Sequence, residues 1–182
     1  MQKYWNNYRI PSIRLKGYDY SKDGFYFVTI CANGHQCLFG GNGNTSISNG
    51  ILKNNSVETG LRPVSTGIIL SDAGKILMDC WYDLPNHYAN IVLDEFVIMP
   101  DHIHGIIQIK NHPGMKTRHG LSEFIRAFKS FSTRRINEFR KTKKPEIWQK
   151  RFHEHIIRSY AELTRIRLYI RNNPVKHLNH NA

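Results

Sequence analysis

Cysteine and acidic residues are scarce in this chain, and long apolar runs are missing. Its three cysteines, Cys31, Cys37 and Cys80, stand in 182 residues. They show no paired zinc-binding spacing and leave one over from any pair. That speaks against a disulfide scaffold or a thiolate zinc fold and fits reduced thiols. No stretch approaches the roughly 20 apolar residues that a membrane helix needs, and no segment has the pattern of a signal peptide. The expectation is a cytoplasmic protein with no membrane partner. Fourteen Asp and Glu face twenty-six Lys and Arg, a formal net charge of +12. A polyanion is the expected partner of such a surface.

The basic excess is localised. Between Arg126 and Arg151 there are ten basic residues and two acidic ones, which is eight of the net twelve charges. A charge run is usually a solvated face, but this one is interleaved with Phe128, Phe131, Phe139 and Trp148. Leu121, Phe124, Phe128 and Phe131 recur at helical spacing and form a core stripe. Trp148 lies outside the stripe, where its ring is available to stack on a base. Arg126, Lys129, Arg134, Arg135 and Arg151 are the candidates of this segment for contact with a polyanion.

The length fits one domain, residues 1–182, with a sizeable core. After a basic, aromatic N-terminal arm, the Ser21-Lys-Asp-Gly24 turn leads into a strand from Phe25 to Ala32. Residues 40–67 are polar with Asn-Gly turn signals, and read as a variable loop or small hairpin. Ser71 caps a helix through about Leu84, which Pro85 ends. Strands Ile91–Met99 and His102–Lys110 follow, joined by a tight Pro100-Asp101 turn. A long helix runs from about Leu121 to Arg140, then a strand from about Arg151 to Arg158, then a terminal helix. No internal repeat is evident. Strand, helix, strand, strand, helix, strand is a ferredoxin-like α+β plan, an antiparallel sheet with helices packed on one face.

His102-Ile103-His104 is the feature with the most chemistry in it. In a strand, residues two apart share a face, so both imidazoles can serve one metal ion while Ile103 faces the core. On spacing alone the pair is as readily solvated or core-satisfied, and His153-Glu154-His155 repeats the pattern. The terminal helix opens with a capping box, Ser159 as N-cap and Glu162 as its reciprocal partner, and Pro174 is expected to stop it. Tyr169 and Asn173, four apart, project from one face. That pair fits an amphipathic core residue and a C-cap as well as a reacting site.

Four blocks together resemble the REP-associated tyrosine transposases, within the insertion-sequence-200-like single-tyrosine HUH nucleases. They are Ser12 to Tyr20 leading into Tyr26 to Cys31, Phe96-Val-Ile-Met-Pro-Asp-His-Ile-His104, Trp148-Gln-Lys-Arg-Phe-His-Glu-His155, and Tyr169-Ile-Arg-Asn-Asn-Pro-Val-Lys176. The blocks occur in family order along nearly the whole chain.

The resemblance implies the ferredoxin-like fold, with the nucleophile Tyr169 on the terminal helix. It implies His102 and His104 as catalytic metal ligands and Asn173 as the third, where many relatives carry Gln. It implies a divalent ion, Mg²⁺ or Mn²⁺, and single-stranded DNA bearing hairpins or palindromic repeats as substrate. Arg14 and Lys16 join the basic helix as expected DNA contacts, and His155 is expected to order its strand or touch DNA. Arg165, Arg171 and Lys176 are candidates to activate the phenol. Cleavage would leave a 5′-phosphotyrosine and a free 3′-hydroxyl. A domesticated, non-mobile relative and a non-catalytic single-stranded nucleic-acid binder are the alternatives, and both monomer and homodimer remain open.

Overall fold

The computed structural model describes residues 15, 17–42, 68–115, 117–142 and 146–180, with side chains as far as Pro174. In chain order the elements are β1 (Gly24–Cys31), a 3-10 turn (Asn33–His35), β2 (Gly40–Asn42), β3 (Ile68–Leu70), α1 (Asp72–Tyr82), α2 (Leu84–His87), β4 (Ile91–Ile98), β5 (His102–Ile109), α3 (Leu121–Phe139), β6 (His153–Ile157) and α4 (Tyr160–His180). Four strands make one sheet in the order β4-β5-β1-β6, with every pairing antiparallel. With helices crossing between β1 and β4 and between β5 and β6, this is the ferredoxin-like α+β arrangement. β2 and β3 pair separately at the base of the polar insert, whose residues 43–67 lie outside the described ones.

Alternation along β1 separates the two faces of the sheet. Tyr26, Val28 and Ile30 are fully buried and pack with Leu77 and Trp81 of α1 and Phe124 and Phe128 of α3. Phe25, Phe27 and Thr29 point the other way, where α4 lies with Leu163 and Ile170 against Val97, Met99, Ile106 and Ile157. So α1 and α3 share one face, and the C-terminal helix closes the other.

The strand carrying the two histidines is clamped from behind. A Cβ added at Gly105 would lie 2.5 Å from the Trp81 ring. That ring is itself stacked on Phe96 at 4.5 Å and meets Phe128 edge-on. Only glycine lets α1 approach this closely beside His104.

Local rules hold at some element ends and fail at others. Ser71 Oγ accepts from the Gly74 amide and caps α1. Pro85, expected to end that helix, instead stands in the first turn of the short α2, where its missing amide costs nothing. Pro174 does not stop α4, which continues to His180. A proline inside a helix loses one hydrogen bond and strains one turn, about 3 kcal/mol. Here the residue is buried, which offsets part of that cost.

Candidate active site

The hairpin between β4 and β5 sets the first histidine. The Met99 amide donates to the His102 carbonyl across Pro100-Asp101, at 2.8 Å, so the turn has only two residues. This brings the Asp101 carboxylate beside the His102 ring, and His102 Nδ1 donates to Asp101 Oδ1 at 2.6 Å. A carboxylate only accepts, so Nδ1 carries the proton and Nε2 of the neutral ring is bare.

Strand register sets the second. Thr29 of β1 pairs with His104 of β5, and its Oγ1 lies 2.8 Å from His104 Nδ1. Phe27 stacks on the same imidazole with centroids 5.4 Å apart. His104 is only 5% exposed. Burial, with help from the charges of His102 and His153, pushes its pKa down to about 3, so the ring is neutral across the physiological range.

The two Nε2 atoms then face each other at 3.2 Å. Lone pairs at that separation require a cation or a shared proton between them. Two imidazole nitrogens, each about 2.1 Å from one ion at tetrahedral or octahedral angles, sit roughly 3.0–3.4 Å apart. The observed separation of 3.2 Å falls within that range.

α4 delivers the third group. Among its described side chains Leu163 and Ile170 are buried aliphatics that contribute roughly 1.5–3 kcal/mol each, and polar contacts help to fix its register. Asp94 and Glu95 occupy a bulge in β4 between Leu93 and Phe96, a device that re-aims side chains. Arg167 grips Asp94 in bidentate fashion, with Nε to Oδ1 at 2.8 Å, and Arg171 pairs with Glu95. Burial raises the Asp94 carboxyl, and Arg167 and the Glu95 amide more than reverse this, holding it below the usual carboxylate range. At the start of α4, Ser159 Oγ accepts from the Glu162 amide. Glu162 accepts from the Arg158 amide, one residue before the expected partner, and from His155 Nε2. His155 thus ties β6 to α4.

With the helix fixed, the Tyr169 hydroxyl lies 3.5 Å from His104 Nε2. Its ring meets those of His104 and Phe27 edge-on. Tyr169 remains 43% exposed, so the phenol is reachable from outside. Asn173, half-buried, follows one helical turn later on the same face. Among the described residues no group of three or more His, Cys, Asp or Glu could hold a metal.

The basic segment behaves differently from its sequence reading. Trp148 is buried at 5% exposure, donates from Nε1 to Ser132 Oγ, and packs between Phe39 and Phe128. No face is left for a base, because its indole completes the core under α3. Lys129 turns inward, donating to the carbonyls of Gln149 and Arg151 at 2.8 and 3.0 Å. Burial lowers its pKa to about 8, so it pins the approach to β6 instead of meeting phosphate. α3 as a whole covers the sheet face opposite the histidines. On it Arg126 is exposed, Arg134 lies over Phe131, and Arg135 pairs with Asp83. Arg151 is exposed just before β6. Of the groups considered for activating the phenol, Arg171 is engaged by Glu95, Arg165 is exposed near Glu162, and the Lys176 side chain is not among those described. Arg14 and Lys16 also lie outside the described residues.

Sequence reasoning did not find Thr29, Asp101 or the Asp94–Arg167 pair. Asp101 adjoins the motif and was within reach of a local argument. Thr29 and Asp94 act across strand and helix pairings that no local pattern reveals.

Comparison with known proteins follows the same lines. The family model for IS200-like transposases matches residues 80–173, the span from α1 to Asn173. A Haemophilus influenzae protein of unassigned function is 32% identical over 90% of this chain and 87% of its own length. A second protein from that organism, named as a REP-associated tyrosine transposase, is 36% identical over 44% of this chain and 47% of its own. A solved structure of the REP-associated tyrosine transposase bound to a REP hairpin covers 91% of this chain and 74% of its own, with a TM-score of 0.56 and 19% identity. That last likeness concerns the fold.

Proposed function

The chain belongs to the IS200-like transposase family, and on that premise we propose that it cleaves and rejoins single-stranded, hairpin-bearing DNA through a covalent bond to Tyr169. The observation that carries this reading is the convergence of the Tyr169 hydroxyl and the Nε2 atoms of His102 and His104 within 3.5 Å of one another along the chain of contacts. A non-catalytic binder has no use for a half-exposed phenol set beside a facing pair of imidazoles.

His102 and His104 would hold a divalent cation, Mg²⁺ or Mn²⁺, with Asn173 as the third protein ligand. When bound, that ion supplies Lewis acidity toward a non-bridging phosphate oxygen. The Tyr169 oxygen attacks phosphorus in line, a P–O(Tyr) bond forms and the P–O3′ bond breaks. The departing 3′-oxygen takes up a proton, and the phenol gives up its own. The products are a 5′-phosphotyrosine and a free 3′-hydroxyl. Attack by another 3′-hydroxyl reverses the step and releases Tyr169, so joining needs no nucleotide hydrolysis. Phe27 and Thr29 hold the His104 plane, and the salt bridges of α4 hold the tyrosine beside His104.

The relative bound to a REP hairpin supports a folded single strand as substrate. Arg126, Arg134, Arg135 and Arg151 are on or beside the far face of the sheet, where they would contact a hairpin stem while the single strand crosses the Tyr169 side; Arg14 and Lys16 are further candidates. The test incubates the protein with a hairpin oligonucleotide and Mn²⁺ or Mg²⁺. A denaturant-stable adduct should form, vanish with chelator, and be absent for Tyr169→Phe while binding persists. An adduct that survives chelation and the Phe replacement contradicts the reading.

A further inference from the structure

Behind His102 lies a second layer of hydrogen bonds that the reaction above leaves unused. Asp101 has two carboxylate oxygens, and only Oδ1 serves His102. Oδ2 lies 3.0 Å from Nδ1 of His35. The other nitrogen of that ring, Nε2, lies 3.1 Å from the side-chain nitrogen of Gln149. Donors and acceptors match all along this line. The Gln149 amide donates to His35 Nε2, His35 Nδ1–H donates to Asp101 Oδ2, and His102 Nδ1–H donates to Asp101 Oδ1.

Three segments far apart in sequence are brought together to build this line. The 3-10 turn Asn33–His35 is tied to the approach of β6, with the Asn33 amide donating to Ile147 and the Gln149 amide to Cys31, each within 3.0 Å. Phe39 reaches back to the Pro100 carbonyl at 2.9 Å, and the Ala32 amide to that of Asp101 at 2.7 Å. His35 sits at φ 51, a left-handed conformation that few residues other than glycine adopt. Its side chain is 58% exposed. An exposed contact of this kind contributes little to stability. Yet the ring is engaged at both nitrogens and aimed at the back of the site.

We propose that His35, held by Gln149, is a positioning residue: it fixes the Asp101 carboxylate so that His102 keeps its Nδ1–H tautomer and presents Nε2 to the cation. This rests on the metal role proposed for His102. Without His35, Asp101 is free to turn toward solvent, and His102 loses the partner that selects its tautomer.

Two measurements on the full chain test it. Nitrogen-15 long-range spectra of the metal-free protein report the His102 tautomer, and a Mn²⁺ titration followed by electron paramagnetic resonance reports affinity. The wild type should hold His102 as the Nδ1–H form. His35→Ala should give a tautomer mixture and weaken Mn²⁺ about tenfold, the lower end of what outer-layer partners of metal ligands contribute. His35→Asn, whose amide nitrogen takes the place of Nδ1, should restore both. A wild-type tautomer and affinity in His35→Ala overturn the proposal, and so does a defect that Asn does not relieve. Should the wild type itself bind no Mn²⁺, the metal role of His102 fails, while the tautomer comparison still decides the place of His35.

Discussion

The hydroxyl of Tyr169 lies 3.5 Å from Nε2 of His104, although 65 residues separate them in sequence. Strand pairing fixes one partner and two salt bridges from α4 to the β4 bulge fix the other. The site is thus only as well made as the docking of that helix.

Loss of that docking should affect cleavage before it affects folding. Arg167→Ala removes a bidentate contact to a partly buried carboxylate, and a change on the order of 1–2 kcal/mol in unfolding free energy is expected after allowance for solvent screening. Adduct formation should fall by tenfold or more, since a displacement of about 1 Å at the reacting atom is that costly. Denaturant titration and a timed adduct assay on the same preparation measure the two effects. Equal losses in both would mean that Arg167 holds the fold and not the tyrosine.

Burial of His104 predicts a pH dependence in the metal-free protein. Its folded pKa is lowered to about 3 against 6.5 in the unfolded chain. Between those values the unfolded state carries one more proton, so stability rises with pH across the window and is lost as pH falls from 6.5. The full effect is on the order of 5 kcal/mol as an upper bound. Below about pH 3.8 the lowered carboxyls of Asp94 and Asp101 add to the loss. Urea unfolding in chelator at stepped pH should show the slope between pH 6.5 and 4, and His104→Gln should flatten it. A slope that survives the replacement would assign it elsewhere.

Trp148 and Arg126 separate a core residue from a surface one. Trp148→Ala empties a buried aromatic site and should cost about 3–5 kcal/mol, with DNA affinity changing only as far as the fold does. Arg126→Ala should leave the melting temperature within a degree or two and reduce DNA affinity together with its salt dependence. Melting curves and fluorescence anisotropy at two salt concentrations distinguish them. A stable Trp148→Ala protein that binds DNA poorly would return the indole to the DNA surface.

Much of this was readable in advance because its causes are local. The alternation of Tyr26, Val28 and Ile30, the Ser71 cap and the two-residue Pro100-Asp101 turn follow from neighbours in sequence, and with them the order of elements along the chain. The i, i+4 relation of Tyr169 and Asn173 and the shared face of His102 and His104 are also local. Trp148 misled because a helical stripe marks what its own helix buries and says nothing of what a following segment folds beneath it. Lys129 misled because its charge was counted without the carbonyls that it meets. Pro174 misled because a proline penalty of about 3 kcal/mol can be outweighed where the ring is buried. Thr29 and Asp94 act through register, which no single segment encodes.

The chemistry itself reduces to where the DNA becomes attached. Protease digestion of the adduct formed in Mn²⁺, followed by mass spectrometry, identifies the residue that carries the 5′-phosphate. The peptide bearing Tyr169 is the expected carrier. Attachment to Tyr160, which is 77% exposed at the start of α4, or the absence of any adduct from an intact hairpin substrate, would contradict the account.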